Sequence, residues 1–153
     1  VAHVELSLTE SIVPAKCPAG TGADGFGSSL DRWAATVLHA NEPCLVVDNG
    51  GMIVAASASC HELLGLGTVG TAAGRHLLDG VLRLVDFTAA RELLTEAEIG
   101  KIPPLLAQSS GRLARGLMRV HDGADLDITV DAIATPLSDD DHVMGSLTFF
   151  CPI

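Results

Sequence analysis

The apolar and polar positions change their period along the chain. Cys44 to Asp48 is an almost unbroken apolar run, Asn49-Gly50-Gly51 follows, and Met52 to Ala56 is apolar again. Two short apolar runs around an Asn-Gly turn predict a β-hairpin. From Ser57 to Leu66 the period becomes helical. Ser57 or Ser59 can cap this helix, and Glu62 stands three residues after Ser59 as in a capping box. Leu63 and Leu64 supply its buried face, and Gly65 and Gly67 stop it. Leu77, Leu78, Val81, Leu82, Leu84 and Val85 recur at mixed spacing, which predicts one or two short helices. Ala89 to Ile99 predicts another. Pro103-Pro104 opens a last helix running to Gln108, since proline suits a first turn.

From Arg112 the period is two. Gly116 to His121 predicts a strand, and Asp122-Gly123 a tight turn. In Ala124 to Pro136, Leu126, Ile128, Val130, Ala132 and Ala134 alternate with Asp125, Asp127, Thr129 and Asp131, so one sheet face is covered and the other wet. Ser138 to Asp141 reads as a polar turn. His142 to Cys151 is the last strand, with Val143, Leu147 and Phe149 on one side. The expected architecture is α+β: a five-stranded antiparallel sheet with short helices on one face.

The first thirty residues differ. Val4, Leu6 and Leu8 alternate as in a short strand, and the Gly- and Ala-rich stretch from Ala19 to Ser29 has the composition of a linker. Residues 1–30 therefore read as an N-terminal extension and residues 31–153 as the domain. A helix capped by Ser29 or Asp31 leads in, with Trp33, Val37 and Leu38 near one face, and Glu42-Pro43 ends it. That face suits either its own sheet or a dimer contact, where tryptophan is enriched.

Composition narrows the function. The chain of 153 residues is 48% apolar but only 3% aromatic, so stacking on bases or flat cofactors has little material. Its formal charge of −10 repels phosphate backbones and excludes direct nucleic-acid binding. Arg112, Arg115 and Arg119 read as a solvated face rather than a basic patch. Cys17, Cys44, Cys60 and Cys151 show no C-x-x-C or Cys/His spacing for zinc. Cys44 and Cys151, in apolar strands, read as buried thiols, which fits a reducing cytoplasm. No apolar run reaches the length of a membrane span.

Three features bear on chemistry. Cys60-His61 are helix neighbours that point in different directions, so they do not make a nucleophile pair. Asp139-Asp140-Asp141-His142 could hold a cation but reads as a solvated turn. No phosphate loop, catalytic triad or zinc-protease motif occurs. The chain is expected to catalyse nothing.

The stretch Cys-Leu-Val-Val-Asp-Asn-Gly-Gly-Met-Ile-Val-Ala-Ala-Ser-Ala-Ser-Cys-His-Glu-Leu-Leu-Gly (44–65), followed by Gly-Arg-His-Leu-Leu (74–78), resembles the PAS family of sensory domains. The resemblance extends over about residues 32–152. Many relatives have Asn at the place of Ser57, which implies weaker backbone bracing here. Leu77 occupies the place of the reactive cysteine of flavin-dependent light sensors, so that photochemistry is not expected.

The resemblance implies a bacterial, cytoplasmic sensor in signal transduction or transcriptional regulation. It would bind a small apolar ligand or a protein partner and act through dimerisation. Val46, Leu64, His76, Leu77, Leu82, Met118, Ile128, Val130 and Leu147 are the expected pocket lining. Trp33, Val37 and Leu38 are the expected dimer contact, and an effector domain or protein partner would receive the signal. No cofactor is expected. The alternatives are a haem sensor ligated by His76 or His61, and a ligand-free structural dimerisation module.

Overall fold

A computed structural model describes residues 27–68, 70–79, 82–87, 92–121 and 126–153. The Val4–Leu8 strand, most of the linker, Cys17, Val81 and the Asp122-Gly123 turn lie outside the described residues.

The leading helix is α1, Ser29–Val37. Ser28, not Ser29 or Asp31, caps it, and Asp31 returns a bond to the Ser28 N–H. The hairpin is β1 (Cys44–Asp48) and β2 (Ile53–Ala56), with a bulge between Val46 and Val47. Helix α2 (Ala58–Leu64) follows, capped by Ser57 and stopped by Gly65 in the left-handed conformation at φ 63°. Ser59 lies inside the helix and donates to the Asn41 carbonyl instead of capping.

The next stretch departs from the sequence reading. Leu84–Val85 is a strand, β3, rather than helix, and it pairs with Val120 and Arg119 of β4. Leu93 then bridges back to Val85, and of the predicted Ala89–Ile99 helix the described residues form one turn, α3 (Glu96–Ile99). Helix α4 (Pro103–Ser110) carries proline in its first turn as predicted. Three long strands close the chain: β4 (Ala114–His121), β5 (Asp127–Asp139) and β6 (His142–Pro152). The antiparallel sheet has six strands rather than five, in the order β2-β1-β6-β5-β4-β3.

Both faces of the sheet are used. On the inner face Leu45, Val47, Met118, Val120, Val130, Ala132 and Phe150 pack with Cys60 and Leu64 of α2, and with Leu77, Leu82 and Ile102. Helix α4 closes the same face lower down, where Ala107 meets Ala114 and Ala134, and Ser146 donates to the Pro104 carbonyl at 2.7 Å. On the outer face Val46, Leu137 and Leu147 pack under Leu30, Ala34 and Val37 of α1. Asp139 ties α1 in place: its carboxylate accepts from the Ser29 N–H at 2.9 and 3.2 Å, at the positive end of the helix dipole.

Candidate functional site

Ser57 organises the start of the inner face. Its hydroxyl accepts from the N–H of Cys44 (3.0 Å) and of Cys60 (3.2 Å). It also reaches the Glu42 carbonyl at 2.8 Å. A fully buried serine thus joins β1 to α2, and the bracing expected to weaken without Asn is present. Cys60 is buried beside it. Burial, with a smaller contribution from Cys44, pushes its thiol up to about 12, so it stays protonated and unreactive. Burial raises the Cys44 thiol too. Cys151, read as buried, is exposed at the end of β6.

The structure divides the expected pocket lining. Leu64, Leu77, Leu82, Met118 and Val130 share the inner cluster, with Ile128 packed against it. They fill that space with one another. Val46 and Leu147 lie on the opposite face under α1, because the alternation of β1 and β6 turns them outward. An unbroken apolar strand buried on both faces carries no mark of which face is which.

One open volume lies beside β3. A cavity of about 240 Å³ is lined by Leu78, Leu82, Arg83, Leu84, Leu93, Leu94 and Ile99. It falls just below the ~300–1,000 Å³ of pockets for drug-sized ligands. Of the expected lining only Leu82 reaches it. The Leu93-Leu94 pair was the available signal, but reading that segment as helix hid it.

His76 stands elsewhere. Its segment runs beside the hairpin, where the Leu77 N–H donates to the Gly51 carbonyl and the Ile53 N–H to the Arg75 carbonyl. The His76 ring covers Gly51: a Cβ there would meet Nε2 at 2.6 Å, on a backbone at φ 79° that already favours glycine. Nδ1 accepts from the Leu78 N–H at 3.3 Å. His76 lines a cleft with Asn49, Leu105, Gln108 and Ser109 and is not part of the apolar core. His61 is buried and its Nδ1 has no partner, but it does not line the leucine cavity. Neither imidazole is among the described residues that line the leucine cavity, so that cavity offers a haem no axial histidine there.

The expected dimer contact also divides. Val37 is 2% exposed and turned into its own sheet, because the buried face of α1 is Leu30, Ala34 and Val37. Trp33 and Leu38 remain exposed. Beyond α1 the outer face is open. Phe149 pairs across the strands with Ile133, and both are about two-fifths exposed. A cleft of about 330 Å³ runs past them, lined also by Pro43, Asp131, Cys151 and Pro152.

The basic residues of β4 are engaged. Arg115 donates to the Asp131 carboxylate. Arg119 stacks over Phe87 at 4.8 Å and donates to the Asp86 carbonyl. No described helix is long and apolar enough to cross a membrane.

No family model and no curated protein matches the chain. Solved structures do. The PAS domain of a protein from Colwellia psychrerythraea matches with a TM-score of 0.57 at 15% identity, over 81% of this chain and 96% of that one. A Rhodobacter sphaeroides LOV protein gives 0.56 at 17%, over 82% and 66%. The Vibrio cholerae VqmA dimer, described as a DNA-binding receptor of the LuxR type, gives 0.55 at 18%, over 81% of this chain and 51% of its own. The chain has the PAS fold: a curled antiparallel sheet with short helices on one face. It spans about half of the VqmA chain.

Proposed function

We propose that the chain is a sensory and interaction domain that binds a small apolar ligand and catalyses nothing itself. The leucine-lined cavity beside β3 carries the reading. It is apolar and lies against a segment held to the sheet mainly through β3 and the Leu93 bridge. Filling it would bias the position of that segment. The high thiol of Cys60 supports the absence of nucleophilic chemistry. The open row of Phe149 and Ile133, flanked by a cleft, suits a second copy of the chain. VqmA supplies a precedent for this fold in a dimeric receptor. With a charge of −10, contact with DNA would fall to another domain.

The ligand part is tested with 1-hexanol as an apolar probe. The probe is expected to raise the thermal midpoint of the chain, and Leu94→Trp, which fills the cavity, to abolish the rise. No shift in the natural chain overturns the ligand reading. The dimer part is tested by sedimentation over a range of concentrations. Phe149→Asp is expected to abolish association while leaving the midpoint in place, and a monomer at every concentration overturns it.

A further inference from the structure

Among the described residues, the lining of the leucine cavity has one charged group, Arg83. Arg83 sits between buried Leu82 and Leu84, with its backbone fixed because its carbonyl accepts from the His121 N–H at 2.9 Å. Arg83 is exposed and is one of the lining residues. Arg115 is held by Asp131, Arg119 by the Asp86 carbonyl and Phe87, and Arg75 by the Asp79 carbonyl. Arg83 has no such partner among the described residues. The Glu98 carboxylate of neighbouring α3 does not compete for it, because it is turned back on the Thr95 N–H and hydroxyl at 2.8 Å each.

Six aliphatic side chains and one free guanidinium describe an amphipathic ligand. We infer that the cavity takes a short aliphatic carboxylate, its chain among the leucines and its carboxylate on Arg83. The inference rests on the ligand reading above and names its chemical class. The planar guanidinium offers two parallel N–H donors that match a carboxylate. A primary amine would meet like charge at the same place. Size sets the length. At ~30 Å³ per water-sized group, a cavity of about 240 Å³ holds roughly eight non-hydrogen atoms, the size of hexanoate. The negative charge of the domain does not draw such an anion in from a distance, so recognition depends on the local contact.

Titration calorimetry with hexanoate and 1-hexanol separates the two readings. Hexanoate is expected to bind the natural chain about tenfold more tightly than 1-hexanol, the value of one partly solvated charge-assisted pair. Arg83→Met is expected to remove that preference while keeping the affinity for 1-hexanol, which also shows that the variant is folded. Arg83→Lys is expected to keep part of the preference. Equal binding of acid and alcohol, or hexanoate affinity unchanged in Arg83→Met, overturns the carboxylate and leaves the apolar ligand standing. Binding of neither compound overturns both.

Discussion

On the inner face of the sheet, Leu45, Val47, Met118, Val130 and Phe150 meet side chains from α2, Leu77, Leu82 and Ile102 before α4. On the outer face, Val46, Leu137 and Leu147 pack with Leu30, Ala34 and Val37 of α1, and Ile133 and Phe149 are about two-fifths exposed. The same strands supply both sets by alternation. The inner face therefore determines whether the chain folds. The outer face is left partly exposed among the described residues, and α1 is laid on it through Leu30, Ala34, Val37 and the Asp139 carboxylate.

Thiol reactivity sharpens this contrast most. Cys60 belongs to the inner cluster, Cys44 to the outer one under α1, and Cys151 to the open end of β6. Iodoacetamide is expected to modify Cys151 at the rate of a free thiol. Cys60 waits for the domain to open, which at ~5 kcal/mol of stability slows it by at least about a thousandfold. Peptide mapping over time reads the ratio, and comparable rates would break the contrast.

Core truncation comes next. Leu77→Ala, fully buried on the inner face, is expected to cost about 3 kcal/mol. Leu147→Ala, covered by one short helix that can settle into the gap, is expected to cost about 2 kcal/mol. Urea unfolding measures both, and a larger loss at Leu147 would reverse the ranking of the faces.

A smaller effect is expected at the tie between α1 and the sheet. Asp139→Ala removes the acceptor at the helix N-terminus and should cost about 1 kcal/mol. Hydrogen exchange is expected to quicken in α1 while the amides of β4 and β5 keep their protection.

The least effect lies on the open part of the outer face. The hydrogen bonds from Arg115 hold the Asp131 carboxyl below the usual carboxylate range. Folded Asp131 thus takes up its proton less readily than unfolded Asp131. Its contribution is complete at neutral pH and is lost as pH falls below about 4 toward the lower folded value. Arg115→Ala should flatten that acid limb slightly in pH-dependent melts, because the guanidinium is exposed.

The parts legible in the sequence are those set by local rules. The β1–β2 hairpin announces itself through Asn49-Gly50-Gly51, and β4 to β6 through a period of two. Leu84 and Val85 could not be read as a strand, because their partners Val120 and Arg119 lie far along the chain. For the site, Leu82 was found, but its neighbours Leu93 and Leu94 were not. Their leucines suit a helix, and the bridge to Val85 holds them extended. On α1, the sequence reading groups Val37 with Trp33 and Leu38, although its spacing with Leu30 and Ala34 marks the side that faces the sheet.

The His76 ring over Gly51 has a consequence for ancestry. Positions 51 and 76 do not drift independently. A side chain at 51 meets the imidazole, so the ring must swing aside or give way to something smaller when residue 51 changes. Even then the turn at φ 79° keeps selecting glycine. Among descendants of a common ancestor, the residue at 76 is expected to vary more than the glycine at 51.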